Sequence, residues 1–272
     1  MNEGAPAGAT GSLSRSTLAL QVGMLARRSV IRTLRQPAMV VPALLFPLLL
    51  LSINSSGLDS ATELPGFPTD SFFDFALAIA FVQGALFSAN SAGTNLSSDV
   101  ETGFLNRLSL TPLRRVALLL GQLAGILALG LIQAVTFLGV GLVFGAGIEA
   151  GVAGAVVIVF LSLVISLGFG CIGAFVALRT GSGEAVQGAF PLLFAALFLS
   201  SMFLPRDLIE TDWFRTVADW NPVSYMLEGI RSLVITGWDG EALALGFACA
   251  GGLAALALTA TSAALRTRMT RA

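Results

Sequence analysis

The sequence predicts an all-α, polytopic membrane protein. It has six transmembrane helices, an amphipathic helix ahead of them and two short helices before the last span. Three observations carry this. Stretches 38–55, 75–97, 116–144, 151–178, 185–204 and 242–265 are apolar, and each approaches or exceeds the ~20 residues a helix needs to cross a bilayer. The 272-residue chain is 55% hydrophobic and 11% charged, with a mean hydropathy of +0.85, outside the range of soluble domains. Its arginines also fall almost entirely in alternate loops.

All 15 basic residues are arginine; there is neither lysine nor histidine. Without histidine the chain lacks the commonest metal ligand and the commonest general base near neutral pH. The two cysteines, Cys171 and Cys249, lie inside apolar stretches, which argues against a disulfide framework or a thiolate metal site. Six spans place both termini on one side. That side collects Arg15, Arg27, Arg28, Arg32, Arg35, Arg107, Arg114, Arg115, Arg179, Arg266, Arg268 and Arg271, leaving Arg206, Arg215 and Arg231 opposite. Glu3, Asp99, Glu101 and Glu184 accompany the arginines, and the other acidic residues lie on the far side. The positive-inside rule then makes the arginine-rich side cytoplasmic, with both termini inside. Arg27-Arg28 before an apolar run superficially suggests a twin-arginine leader. The run contains Pro42 and Pro47 and lacks a convincing small-x-small cleavage site, so a retained span is expected.

Residues 1–15 are rich in Gly, Ala and Ser and read as a disordered tail. Residues 16–36 read as a helix, with Leu20, Met24, Ile31 and Leu34 at helical spacing and Arg28, Arg32 and Arg35 on a neighbouring face. It is expected in the cytoplasmic interface, its arginines reaching lipid phosphates, and Pro37 ends it. Pro42 and Pro47 predict that the first span is kinked, or packed against neighbours that pair the freed carbonyls. The second span carries Gln83, Ser88, Asn90, Ser91, Thr94 and Asn95, with Gln83, Phe87, Asn90 and Thr94 sharing a face. Such groups must face protein or water, and interhelical hydrogen bonding and substrate contact both stay open.

Residues 98–115 hold the densest chemistry. Asp99 and Glu101 stand near a helix start, Phe104, Leu105 and Leu108 form an apolar edge, and Thr111-Pro112 ends the helix. A short amphipathic helix there suits a partner's groove. In the third and fourth spans Gly139, Gly141, Gly168, Gly170 and Gly173 allow close helix approach. The fifth is aromatic, with Phe190, Phe194 and Phe198 every four residues, then Met202 and Phe203. Segment 205–241 contains Trp213, Phe214 and Trp220. Asn221-Pro222 then starts a second helix carrying Val223, Met226, Leu227, Ile230 and Val234 on one face. Both helices are too short to cross, and are expected to sit in the outer leaflet or re-enter it. Residues 266–272 form a cytoplasmic tail.

Three features in this order resemble the membrane-spanning subunits of ABC-2-type exporters, of the type V architecture, and particularly the daunorubicin-resistance-type bacterial permeases. They are the arginine-rich helix before the first span, Asp99-x-Glu101-x-Gly103…Arg107…Thr111-Pro112-x-Arg114, and Pro205…Asn221-Pro222-Val223-Ser224-Tyr225…Arg231. The resemblance implies a coupling helix at 98–115 docking on a separate nucleotide-binding subunit, with Asp99, Glu101, Gly103, Phe104, Arg107, Leu108, Pro112 and Arg114 as the candidate contacts. Arg114 and Arg115 serve equally well as lipid-headgroup anchors. It also implies two ATPase subunits that bind the ATP and Mg, two permeases forming a homodimer or heterodimer, and a location in the bacterial plasma membrane. Candidate pathway residues are Phe46, Gln83, Phe87, Asn90, Phe194, Phe198 and Met202. Asn221, Pro222, Tyr225 and Arg231 mark the outer helices.

Lacking lysine, these 272 residues contain no P-loop, so ATP hydrolysis is expected on the partner and no cofactor on this chain. A hydrophobic or amphipathic substrate is expected, a drug-like metabolite or a lipid, and no nucleic acid. An ion-coupled carrier would call for an ionisable group inside a span, and the spans hold none away from their ends. A polysaccharide exporter would call for more tryptophan and tyrosine.

Overall fold

The computed structural model describes residues 18–109 and 114–271. Helix α1 spans Leu18–Leu34, α2 Pro37–Gly57, α3 Phe72–Glu101, α4 Phe104–Ser109 and α5 Arg115–Val143. They are followed by α6 Gly151–Thr180, α7 Gly183–Phe198, α8 Asp212–Trp220, α9 Pro222–Arg231 and α10 Gly240–Arg271. No strand occurs among the described residues. Five helices, α2, α3, α5, α6 and α10, are long and apolar enough to cross a membrane. The fifth predicted span is shorter than expected. α7 has 16 residues and stops at Phe198, so it is about 24 Å long against a hydrocarbon core of ~30 Å.

α3 is the hub, packed by α2, α5, α6, α7 and α9 and buried along most of its length. Its contact with α6 is set by glycine. A Cβ on Gly173 would overlap the Ala89 carbonyl oxygen, and one on Gly93 would lie 2.9 Å from the Gly173 oxygen. Backbones this close gain dispersion where apolar lipid supplies no hydrophobic drive. Gly141, Gly168 and Gly170 likewise sit against side chains or backbone of other segments, whereas Gly139 has no such neighbour within 4 Å.

α1 packs against the bundle through its polar side. It runs alongside the first turns of α5: Leu25 lies on Gly121, Ser29 on Gly125, and the Arg114 amide donates to Gln21 Oε1 at 3.2 Å. Gln21 and Thr33 are buried, while Leu20, Met24 and Leu34 are exposed. A helix bathed in lipid turns its polar side inward and its apolar stripe outward, the reverse of a helix in water. Gly121-x-x-x-Gly125 is the spacing that admits this contact.

Proline in α2 is accommodated as the sequence led us to expect. Pro47 cannot donate to the Ala43 carbonyl one turn earlier, and Gln133 Nε2 on α5 takes that acceptor at 3.3 Å. Ser88 on α3 donates to Gln133 Oε1 at 3.0 Å, fixing the amide.

The short α7 creates a similar demand. Asn221 Nδ2 donates to the carbonyls of Ala196 (2.6 Å) and Leu199 (3.1 Å). Arg231 reaches those of Ser201 (2.6 Å), Met202 (2.6 Å) and Phe75 (3.1 Å). Close contacts of Gly246 with Tyr225 and of Gly229 with Ala242 lay α9 antiparallel along the first turns of α10. The α8–α9 pair therefore dips toward the bundle at Asn221 and climbs back out, a re-entrant hairpin.

Gly173→Leu is expected to destabilise the fold by several kcal/mol, because overpacking alone costs ~1–3 kcal/mol and here the obstacle is backbone. Gly139→Leu should be silent; melting temperatures in detergent check both. Arg231→Met strands three carbonyls at about 1–3 kcal/mol each. It should lower the melting point more than Arg215→Met at an exposed site.

Candidate functional site

At the arginine-rich end the predicted 98–115 helix is divided. Asp99 and Glu101 complete the last turn of α3 rather than starting a new helix. The chain then turns at Gly103, whose φ of +67° suits glycine, and α4 follows. Nothing in this chain would meet a Cβ on Gly103 within 4 Å, so within the chain its role is the turn.

Asp99 is 7% exposed and faces the protein. Arg28 pairs with both its oxygens (2.9 and 3.3 Å) and Arg32 with one (2.7 Å). These two arginines thus engage a carboxylate of their own protein. A carboxylate this buried needs a counter-ion, and two arginines four residues apart on α1 provide it. The Arg28 guanidinium also lies 3.9 Å from the Phe104 ring centroid, a cation–π contact. One cation therefore joins α1, the end of α3 and the start of α4.

Leu105 is buried against Leu96, Ala174, Leu178 and Leu265, so part of the expected apolar edge anchors α4 to its own protein. Glu101 is exposed, and its Oε1 accepts from the Gly183 amide at 3.1 Å. That places a carboxylate at the N-terminus of α7, where the helix dipole favours it. Arg107 and Arg114 are exposed; Arg107 Nη2 donates to the Thr102 carbonyl at 3.4 Å. α4 includes Leu108, whose side chain, like Pro112, lies outside the described residues. The tail 1–15 lies outside them too.

Midway along the bundle the pathway candidates separate into two groups. Phe46 on α2, Phe87 on α3 and Phe194 on α7 meet edge-to-face with centroids 5.7–6.2 Å apart. Phe190, Phe198 and Phe203 extend the cluster. Phe46 and Phe198 are 42% and 47% exposed, so the cluster opens at the surface between α2 and α7. Gln83 and Met202, in contrast, are sealed in the core. Among the described residues neither amide atom of Gln83 has a hydrogen-bond partner, nor does Asn90 Oδ1. Asn90 borders a small apolar cavity of about 30 Å³ beside Phe190 and Leu193.

The acidic end is organised by α9. Asn221 caps it, accepting from the Val223 amide at 2.9 Å, and Pro222 occupies its first turn, where a missing N–H costs nothing. Tyr225 donates to the Asp219 carbonyl at 2.9 Å. Arg206 forms a fork with Glu228, at 2.7 Å to each oxygen, and stacks 4.4 Å from the Tyr225 ring centroid. Arg231 is 5% exposed and its cation lies 3.6 Å from the Phe75 centroid.

That Asp99 needs a cation was legible in the sequence, since an acid at the end of an apolar span demands one; which arginines supply it was not. Gln133 gave no such signal, because its partners Ala43 and Ser88 lie far along the chain.

Comparison with known proteins agrees with this architecture. The ABC-2 type transporter family profile matches residues 20–235. A protein of Pyropia yezoensis named "Putative transport permease ycf38" is 27% identical over 220 residues, covering 80% of this chain and 75% of that protein. Its namesake in Porphyra purpurea is 25% identical over 223 residues, covering 80% and 76%. With the family match spanning most of the helical bundle, re-entrant hairpin included, the chain belongs to the ABC-2 type transporter family.

Proposed function

We propose that this permease is the membrane half of an ATP-driven exporter, moved by a separate nucleotide-binding subunit that docks at α4. The observation that carries this reading is the Arg28 junction. A short helix at the arginine-rich end is fastened by one cation to α1 and α3, and by Leu105 to α6 and α10. A push on α4 therefore reaches long helices on both sides of α3 without passing through a flexible loop. Arg107 and Arg114, exposed beside α4, offer charge to the partner, while Glu101 passes movement to α7 through Gly183.

In this reading the arginine-rich end faces the cytoplasm of a bacterial cell, by the positive-inside bias, and two ATPase subunits serve two permeases. The second permease, an identical or related chain, covers the exposed aromatic face of α2 and α7. The pathway then runs along Phe46, Phe87, Phe194 and Phe198, an apolar lining suited to a hydrophobic or amphipathic substrate. Asp99 does not serve ion coupling, because two arginines already hold its charge.

Two measurements test this. Gly103→Val, strained at positive φ, and Arg107→Glu should each leave membrane insertion intact and cut transport about tenfold or more. In Gly103→Val the partner's ATPase continues uncoupled; in Arg107→Glu the complex weakens. Unchanged transport and complex formation in both would sink the proposal. The purified chain alone should hydrolyse no ATP, and robust turnover without a partner would overturn the subunit assignment.

A further inference from the structure

At the acidic end, the outer face in the reading above, a cavity of about 330 Å³ opens between α9, the first turn of α10 and the Arg206–Leu208 turn. That is within the range of small-ligand clefts. Phe75 and Arg231 are almost fully buried and form its floor, whereas Thr236, Asp239 and Asp207 are exposed and form its rim.

The charges in it are ordered. Arg206 and Glu228 neutralise each other through their two-point contact. Arg231 has no ion pair within 4 Å among the described residues. Three of its N–H bonds go to carbonyls, and a guanidinium has five. Two therefore remain, one on each terminal nitrogen, and a phosphate oxygen can accept from them. At the rim, Asp239 uses Oδ1 to cap the amides of Glu241 and Ala242. The Asp207 side chain, 95% exposed, pairs with Arg215 at 3.7 Å. A cation at the floor and carboxylates at the rim repel a simple anion at the entrance and a simple cation at the base. A ligand with a phosphate at its inner end and an ammonium outside satisfies both. Phe75, Pro205 and Ile235 supply an apolar wall.

We infer that this cavity binds a phosphate bearing a primary ammonium, as in the ethanolamine headgroup of a phospholipid or as free phosphoethanolamine. Phosphate faces Arg231 and ammonium faces Asp239. The site lies within one permease subunit and stands whether or not the partner ATPase docks as proposed.

The test uses the full chain purified in detergent, after exposure to equal mixtures of phosphatidylethanolamine and phosphatidylglycerol, with retained lipid read by native mass spectrometry. The wild type should prefer the ethanolamine lipid by about threefold or more, the scale of one exposed charge contact. Asp239→Asn keeps the α10 cap and removes only charge, so it should bring the preference to near unity at an unchanged melting temperature. Thr236→Trp fills the mouth and should abolish retention. Free phosphoethanolamine that displaces the lipid identifies a soluble source for the headgroup chemistry; failure to displace it identifies the lipid itself. Equal retention of the two lipids by the wild type would overturn the inference. So would a preference that survives either substitution, or displacement by inorganic phosphate alone.

Discussion

A bilayer interior offers no hydrogen bonds, so every backbone carbonyl that leaves a helix there must find its partner within the protein. The acidic half of this molecule follows from that constraint. α7 ends at Phe198, and the segment after it would leave the carbonyls of Ala196, Leu199, Ser201 and Met202 stranded. Asn221 and Arg231, the two ends of α9, take them all. The re-entrant hairpin is thus the means by which an incomplete span is finished. The same rule explains Gln133, which replaces the donor that Pro47 lacks.

At the opposite end the governing force is electrostatic. Asp99 lies buried where α3 leaves the bundle, and a buried carboxylate calls for a counter-ion. Arg28 and Arg32 reach it from α1 and so decide where α1 lies. Arg28 then has its guanidinium face free for Phe104, which fixes the start of α4. Docking α1 also needs the glycine pair on α5. With side chains at Gly121 and Gly125, Leu25 and Ser29 could not approach, and the arginines would be carried away from Asp99. A packing feature and an ion cluster therefore depend on each other.

Much of this was legible in the sequence, and the reason is specific. Apolar length reports directly on membrane crossing, so the positions of the long helices emerged within a few residues. The pairing need created by Pro47 was also foreseeable, as were most of the glycine contacts. Orientation of faces was harder. The Leu20–Met24–Ile31–Leu34 stripe read as the apolar side of an interfacial helix; in the structure Leu20, Met24 and Leu34 are exposed, and it is the polar Gln21 and Thr33 that are buried against the protein. Asp99 read as a helix-starting acid for a partner, yet it ends α3 and serves the protein's own arginines. Of the aromatics, Phe46, Phe87, Phe194 and Phe198 do converge, while Met202 lies in the core.

By itself the sequence determined that the chain is a helical membrane protein, which segments are apolar, and that no P-loop lies within its residues. Those properties are local, written in composition and run length. Only the tertiary structure decided that α7 stops short, that Asn221 and Arg231 complete it, and that Arg28 joins three helices. Arg231 is 156 residues from Phe75, and Arg28 is 71 from Asp99. Such pairings arise from which helix faces which, and that is set by close backbone contacts at glycines such as Gly121 and Gly173 that no local pattern assigns to a partner.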